Sequence, residues 1–176
     1  MRYERTPRAS AAVDMDALVV HMRTGFTAAD TEPTILAECQ RLADAAAMEI
    51  EAYCEISLTT QTITAHTFAE AGELISLPVG PLAPGSTVTV NGTAFTGTVE
   101  GGRYPRLTLP EDMSGALTIS YEAGYGTDPA DVPDDLKLAV MDQASGIFDY
   151  RGDDTKRPHL TPAASRIAAR YRRVAV

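Results

Sequence analysis

His21, His66 and His159 are the residues best suited by type to acid–base or nucleophilic chemistry, and they fall in three separate stretches of the chain. No serine or cysteine stands in a nucleophile turn beside any of them, so no catalytic triad is written in the sequence. His66 with Glu70 on a threonine-rich segment reads as a solvated edge. Asp14-Met15-Asp16 and the pair Asp128 and Asp131 lack the oxygen-ligand pattern of a calcium loop and read as helix caps. Cys39 and Cys54 lie fifteen positions apart on one predicted helix, on the order of 20 Å at 1.5 Å per residue, too far for an intrachain disulfide. With no grouped zinc ligands they read as two buried thiols. Gly124-Tyr125-Gly126 lacks the third glycine of a dinucleotide site, and Arg151-Gly152-Asp153 is a chance match to an integrin-binding tripeptide. These residues specify neither an enzyme nor a cofactor or metal site.

The elements that would position them are clearer. Ile119 and Tyr121 alternate with Ser120 and Glu122 as a half-buried strand requires, and Gly124 and Gly126 then permit a sharp corner. Asp131 is placed to cap the next helix, Pro133 suits its first turn, and Asp134 and Asp135 put negative charge at its positive end. Leu136, Val140, Ala144, Ile147 and Phe148 give that helix one apolar face over residues 133–150. Upstream, Asp14 caps a short helix over 15–23. Thr31 and Pro33 start a long one with the stripe Ile35, Cys39, Leu42, Ala46, Ile50 and Tyr53. Ala43, Ala45, Ala46 and Ala47 would let another helix approach closely, in a bundle or in a ring interface. Residues 1–12 show no periodicity and are expected to be mobile or ordered only by a partner.

Between 56 and 126 the texture turns to threonine, valine and glycine, with ten of the thirteen glycines between Gly72 and Gly126. Candidate strands are 57–64, 73–77, 87–90, 94–99, 106–109 and 117–122, and Asn91-Gly92 marks a two-residue hairpin. The fold class is α+β: a small helical core of N-terminal helices plus two C-terminal helices, with an inserted antiparallel β-rich subdomain. The expected segments are 1–55, N-terminal arm and helices; 56–126, β-rich insertion; 127–154, core helix; and 155–176, a basic arm with a short helix starting at Thr161-Pro162.

The ordered set of pieces resembles the head–tail connector (adaptor) family of tailed bacteriophages and gene transfer agents. It comprises the strand–corner–helix above, Asp16-Ala17-Leu18-Val19-Val20-His21-Met22-Arg23 before a long helix containing 42–53, Leu77-Pro78-Val79-Gly80-Pro81-Leu82 leading into Val88-Thr89-Val90, and the closing basic Ala168-Ala169-Arg170-Tyr171-Arg172-Arg173. The resemblance spans nearly the whole chain. It departs at Cys54-Glu55-Ile56, where relatives often carry a threonine–glycine turn, and in a long loop over 24–31. It implies a structural virion protein of the neck, in a ring of twelve copies that joins the portal to the next neck component (stopper) or tail. The ring would enclose a lumen through which DNA passes without sequence-specific binding. It also implies that the C-terminal segment meets the portal, here Arg166, Ile167, Arg170, Tyr171, Arg172, Arg173 and Val174, while Gly124, Gly126 and Pro133 form a structural corner.

Charge fits that picture. The formal charge is −9, yet residues 155–176 hold six basic residues and no acidic one, leaving −15 on residues 1–154. A nucleic-acid binder would spread positive charge over a whole face, so a protein partner is the better expectation for the tail. A short helix so poor in apolar anchors needs a docking site, and removing 161–176 is expected to leave the body folded while abolishing attachment. No apolar run reaches the roughly 20 residues of a membrane span and no signal peptide is visible, so the protein is expected to be made in the bacterial host cytoplasm. The other readings are a different neck or tail-completion protein, or a monomeric ligand-binding α+β domain.

Overall fold

The computed structural model describes residues 1–23, 25–150 and 160–173. The chain divides into two compact units, one of residues Met1–Ala9 and Glu55–Thr127, the other of Ser10–Cys54 and Asp128–Val176.

The first unit is β-rich. Its strands are β1 (Arg2–Arg5), β2 (Gln61–Ala69), β3 (Leu74–Ser76), β4 (Thr89–Val90), β5 (Thr93–Ala94), β6 (Thr98–Glu100), β7 (Arg106–Thr108) and β8 (Gly115–Ala123). They form one sheet in the order β1-β2-β8-β4-β5 and another in the order β3-β7-β6, every pairing between these strands antiparallel. Alternation sets the faces: Ile63 and Ala65 of β2 and Leu117, Ile119, Tyr121 and Ala123 of β8 are buried. Ile75 and Leu107 from the smaller sheet, with Leu77 and Leu109 just beyond the ends of β3 and β7, complete the core. The Tyr121 hydroxyl donates to the Val79 carbonyl (2.9 Å) and accepts from the Val79 amide (3.1 Å), so a buried polar atom is satisfied in both senses. At the Asn91-Gly92 hairpin both residues have positive φ, 52° and 80°, the left-handed pair that a two-residue turn requires.

Three expectations change here. Residues 2–5 are a strand paired with β2 from Arg2↔His66 to Arg5↔Ile63, so part of the N-terminal segment is ordered by its own chain. The strand expected over 57–64 starts at Gln61 and runs on to Ala69; Ser57 instead donates its amide to the Gly80 carbonyl. The run expected over 94–99 is two strands, β5 pairing with β4 and β6 with β7. The break falls at Gly97, where an added Cβ would sit 2.4 Å from the Phe95 ring and 2.9 Å from the Thr108 carbonyl oxygen.

The second unit is helical: α1 (Met15–His21), α2 (Pro33–Cys54), a 3-10 turn (Pro129–Asp131), α3 (Asp134–Asp149) and α4 (Pro162–Ala168). α2 packs on α3, and α1 and α4 each touch both. Asp14 caps α1 through the Ala17 amide (3.0 Å), as the sequence suggests. Cys39, Leu42, Ala46 and Ile50 are buried as expected, joined by Ala43 and Ala47, but Ile35 is exposed because the stripe starts a turn later. Asp131 does not cap α3. With Asp128 it closes a capping box on the 3-10 turn, and Pro133 itself takes the N-cap position of α3 without a side-chain cap. Thr31 also differs, donating its hydroxyl to the Thr27 carbonyl (2.7 Å). Glu55, just after α2, holds φ 56°, the left-handed conformation that usually favours glycine after a helix.

Candidate functional site

The residues that could have carried chemistry are occupied structurally or stand alone. His66 lies exposed on β2 with Nδ1 3.1 Å from the Thr118 hydroxyl, and His21 ends α1. Asp16 accepts the Ala28 amide (3.0 Å). Both cysteines are buried, and the Cys54 thiol donates to the Ala168 carbonyl (3.4 Å). Among the described residues no three His, Cys, Asp or Glu side chains group to hold a metal, and no helix is long and apolar enough to cross a membrane. His159 and the 151–153 tripeptide lie outside the described residues.

The corner glycines have distinct jobs. Gly124 has φ 142°, and a Cβ there would lie 2.7 Å from the Thr59 carbonyl carbon and the Thr60 nitrogen, so only glycine admits this close approach of backbones. The Gly126 carbonyl accepts the Thr60 amide (2.8 Å). Pro133 begins α3, and beyond it Asp134 bonds Lys137 (2.7 Å), which holds the Asp134 carboxyl below its ordinary pKa.

The C-terminal segment is built onto the helical unit. Thr161 caps α4 through the Ala164 amide (3.2 Å), and Pro162 occupies the first turn, where it sacrifices no hydrogen bond. The Thr161 hydroxyl donates to Asp142 of α3, and its amide donates to the Gln143 side-chain oxygen (2.7 Å). The Gln143 amide nitrogen in turn donates to Glu49 of α2 (2.6 Å). One face of α4 is apolar: Ala164, Ile167 and Ala168 are buried. At the far end the Tyr171 hydroxyl donates to Asp135 of α3 (2.7 Å), Arg170 pairs with the same carboxylate (3.2 Å), and the Arg172 guanidinium lies 5.4 Å from the Tyr53 ring centre. α4 is therefore held at both ends by carboxylates of α3 and in the middle by apolar contact.

Of the seven residues proposed from sequence to meet a portal, Ile167 is 2% exposed and faces its own chain. Arg166, Arg170 and Arg172 are exposed, Tyr171 and Arg173 are half-buried, and Val174 lies outside the described residues. The docking site that so short a helix needs is supplied by α2 and α3. Removing 161–176 would uncover Cys54 and the face of α3 on which α4 packs, so the truncated body would be less stable than the whole chain. Sequence reasoning missed Asp135 and Asp142 as anchors. Asp135 also bonds the neighbouring Leu136 amide (2.9 Å), and a helix-start acid gives no sign of a long-range partner.

No family model matches the sequence, and no curated protein does. Solved structures do match, along the full length. The chain is similar to a chain in the neck of an empty gene transfer agent (GTA) particle computed with C6 symmetry, at 22% identity and TM-score 0.77, over 100% of this chain and 97% of that one. It is similar in the same way to a chain of the virion of a native GTA particle (23% identity, TM-score 0.76, 100% and 97% covered). A third match is a chain in the neck of a native GTA particle computed with C12 symmetry (23%, TM-score 0.68, 100% and 97%). The α+β architecture of this chain is thus a fold found in GTA neck particles, which agrees with the connector resemblance of the sequence.

Proposed function

We propose that this protein is a structural adaptor of a phage-type or GTA particle. It forms a ring, of twelve copies, that joins the portal of the capsid to the next neck component or tail, and it resides in the virion neck. The observation that carries the reading is the full-length likeness to chains of GTA necks, one of them computed with C12 symmetry. Within this reading residues 56–126 act as a β-rich insertion and 127–154 as the core helix, with 155–176 as the portal-facing arm. Residues 161–173 of the arm are folded on α2 and α3, which lowers the ordering entropy that attachment must overcome. Its exposed Arg166, Arg170 and Arg172 are the residues offered to the portal. The −15 carried by residues 1–154 suits a lumen wall that repels DNA phosphates, so that the genome slides instead of sticking.

The test is the mass and shape of the purified protein alone and mixed with its cognate portal, by light scattering and negative-stain microscopy. A ring capping the portal is expected. Arg166→Glu with Arg172→Glu, both at exposed positions, is expected to leave the fold intact and weaken attachment at least tenfold. Monomers that ignore the portal would refute the adaptor reading, and unchanged attachment by the double variant would refute the role of the arm.

A further inference from the structure

Thr161, the N-cap of α4, is gripped from two other helices. Its hydroxyl donates to Asp142 of α3 and accepts the Ala164 amide (3.2 Å), while its own amide donates to Oε1 of Gln143 (2.7 Å). Gln143 is 4% exposed, and its Nε2 donates to the carboxylate of Glu49 on α2 (2.6 Å). Glu49 is itself exposed, and the residues three and four positions away along α2, Ala45, Ala46, Ala52 and Tyr53, are all uncharged.

The order of donors and acceptors in this relay is forced. A backbone amide only donates and an ionised carboxylate only accepts, so the group between them must turn an oxygen to one and an N–H to the other. A glutamine side chain does this in one orientation. Turned over, it would set donor against donor at Thr161 and acceptor against acceptor at Glu49, and at a buried position such mismatches are costly.

We propose that Glu49 is a positioning residue for the arm: by fixing which end of the buried Gln143 amide faces α4, a carboxylate on α2 sets where the arm begins. This rests on the reading of 155–176 as the portal-facing arm and names a residue outside the arm that governs its presentation. α4 has seven residues and owes its order to docking, so the seat of its N-cap decides how the arginines that follow are held. The relay ties that seat to α2 as well as to α3.

The test reverses the polarity of the relay in the full-length protein. Glu49→Lys replaces the acceptor by an ammonium that draws the Gln143 oxygen away from Thr161, and Gln143→Glu sets a second carboxylate against Glu49. Combined, the two changes restore complementarity, because Glu at 143 accepts from both Lys at 49 and the Thr161 amide. The reporter is Cys54, whose buried thiol donates to the Ala168 carbonyl and is covered while α4 is docked; Cys39, also buried on α2, is the internal control. Each single variant is expected to raise the maleimide labelling rate of Cys54 at least fivefold with Cys39 unchanged, and the double variant to return it to within about twofold of wild type. Tyr53, one turn on from Glu49, carries Arg172 over its ring, so lost attraction to Arg172 is the competing account of a Glu49 variant. Glu49→Gln separates the two: it keeps an acceptor for Gln143 while removing the charge, and should label at the wild-type rate. Loosening by Glu49→Gln equal to that by Glu49→Lys, a double variant as loose as the looser single one, or equal rises at Cys39 and Cys54 would each overturn the relay. Portal attachment, measured on the same proteins, should weaken in the two single variants and recover in the double. Attachment that ignores a labelling pattern otherwise as expected would leave the relay standing and overturn the role of the arm.

Discussion

Replacing Ile167 by alanine should loosen the docking of the last helix without unfolding the protein. α4 has seven residues, well short of the roughly 12–15 at which an isolated helix becomes even marginal in water, so its order comes from docking. Its buried residues are Ala164, Ile167 and Ala168, and Ile167 alone among them has a large side chain. Truncating a fully buried isoleucine to alanine costs about 2–5 kcal/mol; a value near 3, at 1.4 kcal/mol per tenfold, multiplies the undocked fraction by on the order of 100. The end contacts, Thr161 with Asp142 and Tyr171 with Asp135, survive the change, so loosening should stay local. Hydrogen exchange followed by mass spectrometry reads this directly: amides of 163–171 should lose about two decades of protection while β2 and β8 keep theirs. Portal attachment should weaken in parallel, because the arginines are presented by the docked helix. Unchanged protection over 163–171 would refute the argument, since it would mean that the polar contacts at the two ends hold the helix without its apolar face.

Tyr121→Phe strands both the amide and the carbonyl of Val79 in the core, each at about 1–3 kcal/mol; a loss of about 2–4 kcal/mol should appear in urea denaturation, and a loss below about 0.5 kcal/mol would contradict it. Asp134→Asn tests the ion pair with Lys137. Because the folded-state pKa of Asp134 is depressed, the stability that the pair contributes is present above the ordinary carboxylate pKa and is lost as pH falls through the folded-state value. The small Tm difference between wild type and variant at pH 7 should therefore vanish in strong acid, and a pH-independent difference would assign it to something other than ionisation.

Periodicity and turn chemistry made much of this fold legible before any coordinates. Asn91-Gly92 is a hairpin because only residues tolerant of positive φ suit that turn, and Asp14 and Thr161 cap their helices because a short side-chain oxygen reaches an orphan amide wherever it is placed. The α+β class followed from the change of texture near residue 56, and the basic closing segment from a simple count of charge. These are local properties, set within a few residues.

What the sequence could not supply was the partner of each surface. Arg2–Arg5 shows no pattern of its own and becomes a strand because β2 offers a free edge some sixty residues away. Asp131 and Asp135 look alike as acids near a helix start, yet one closes a 3-10 turn and the other holds Tyr171 and Arg170, a distinction made by where α4 returns. Likewise the alanines of α2 are alike in sequence, but tertiary packing buries Ala43, Ala46 and Ala47 inside the unit and leaves Ala37, Ala45 and Ala52 outside. Local propensity chooses the element and its capping; which face is covered depends on contacts between residues distant in the chain, and only the assembled tertiary structure decides that.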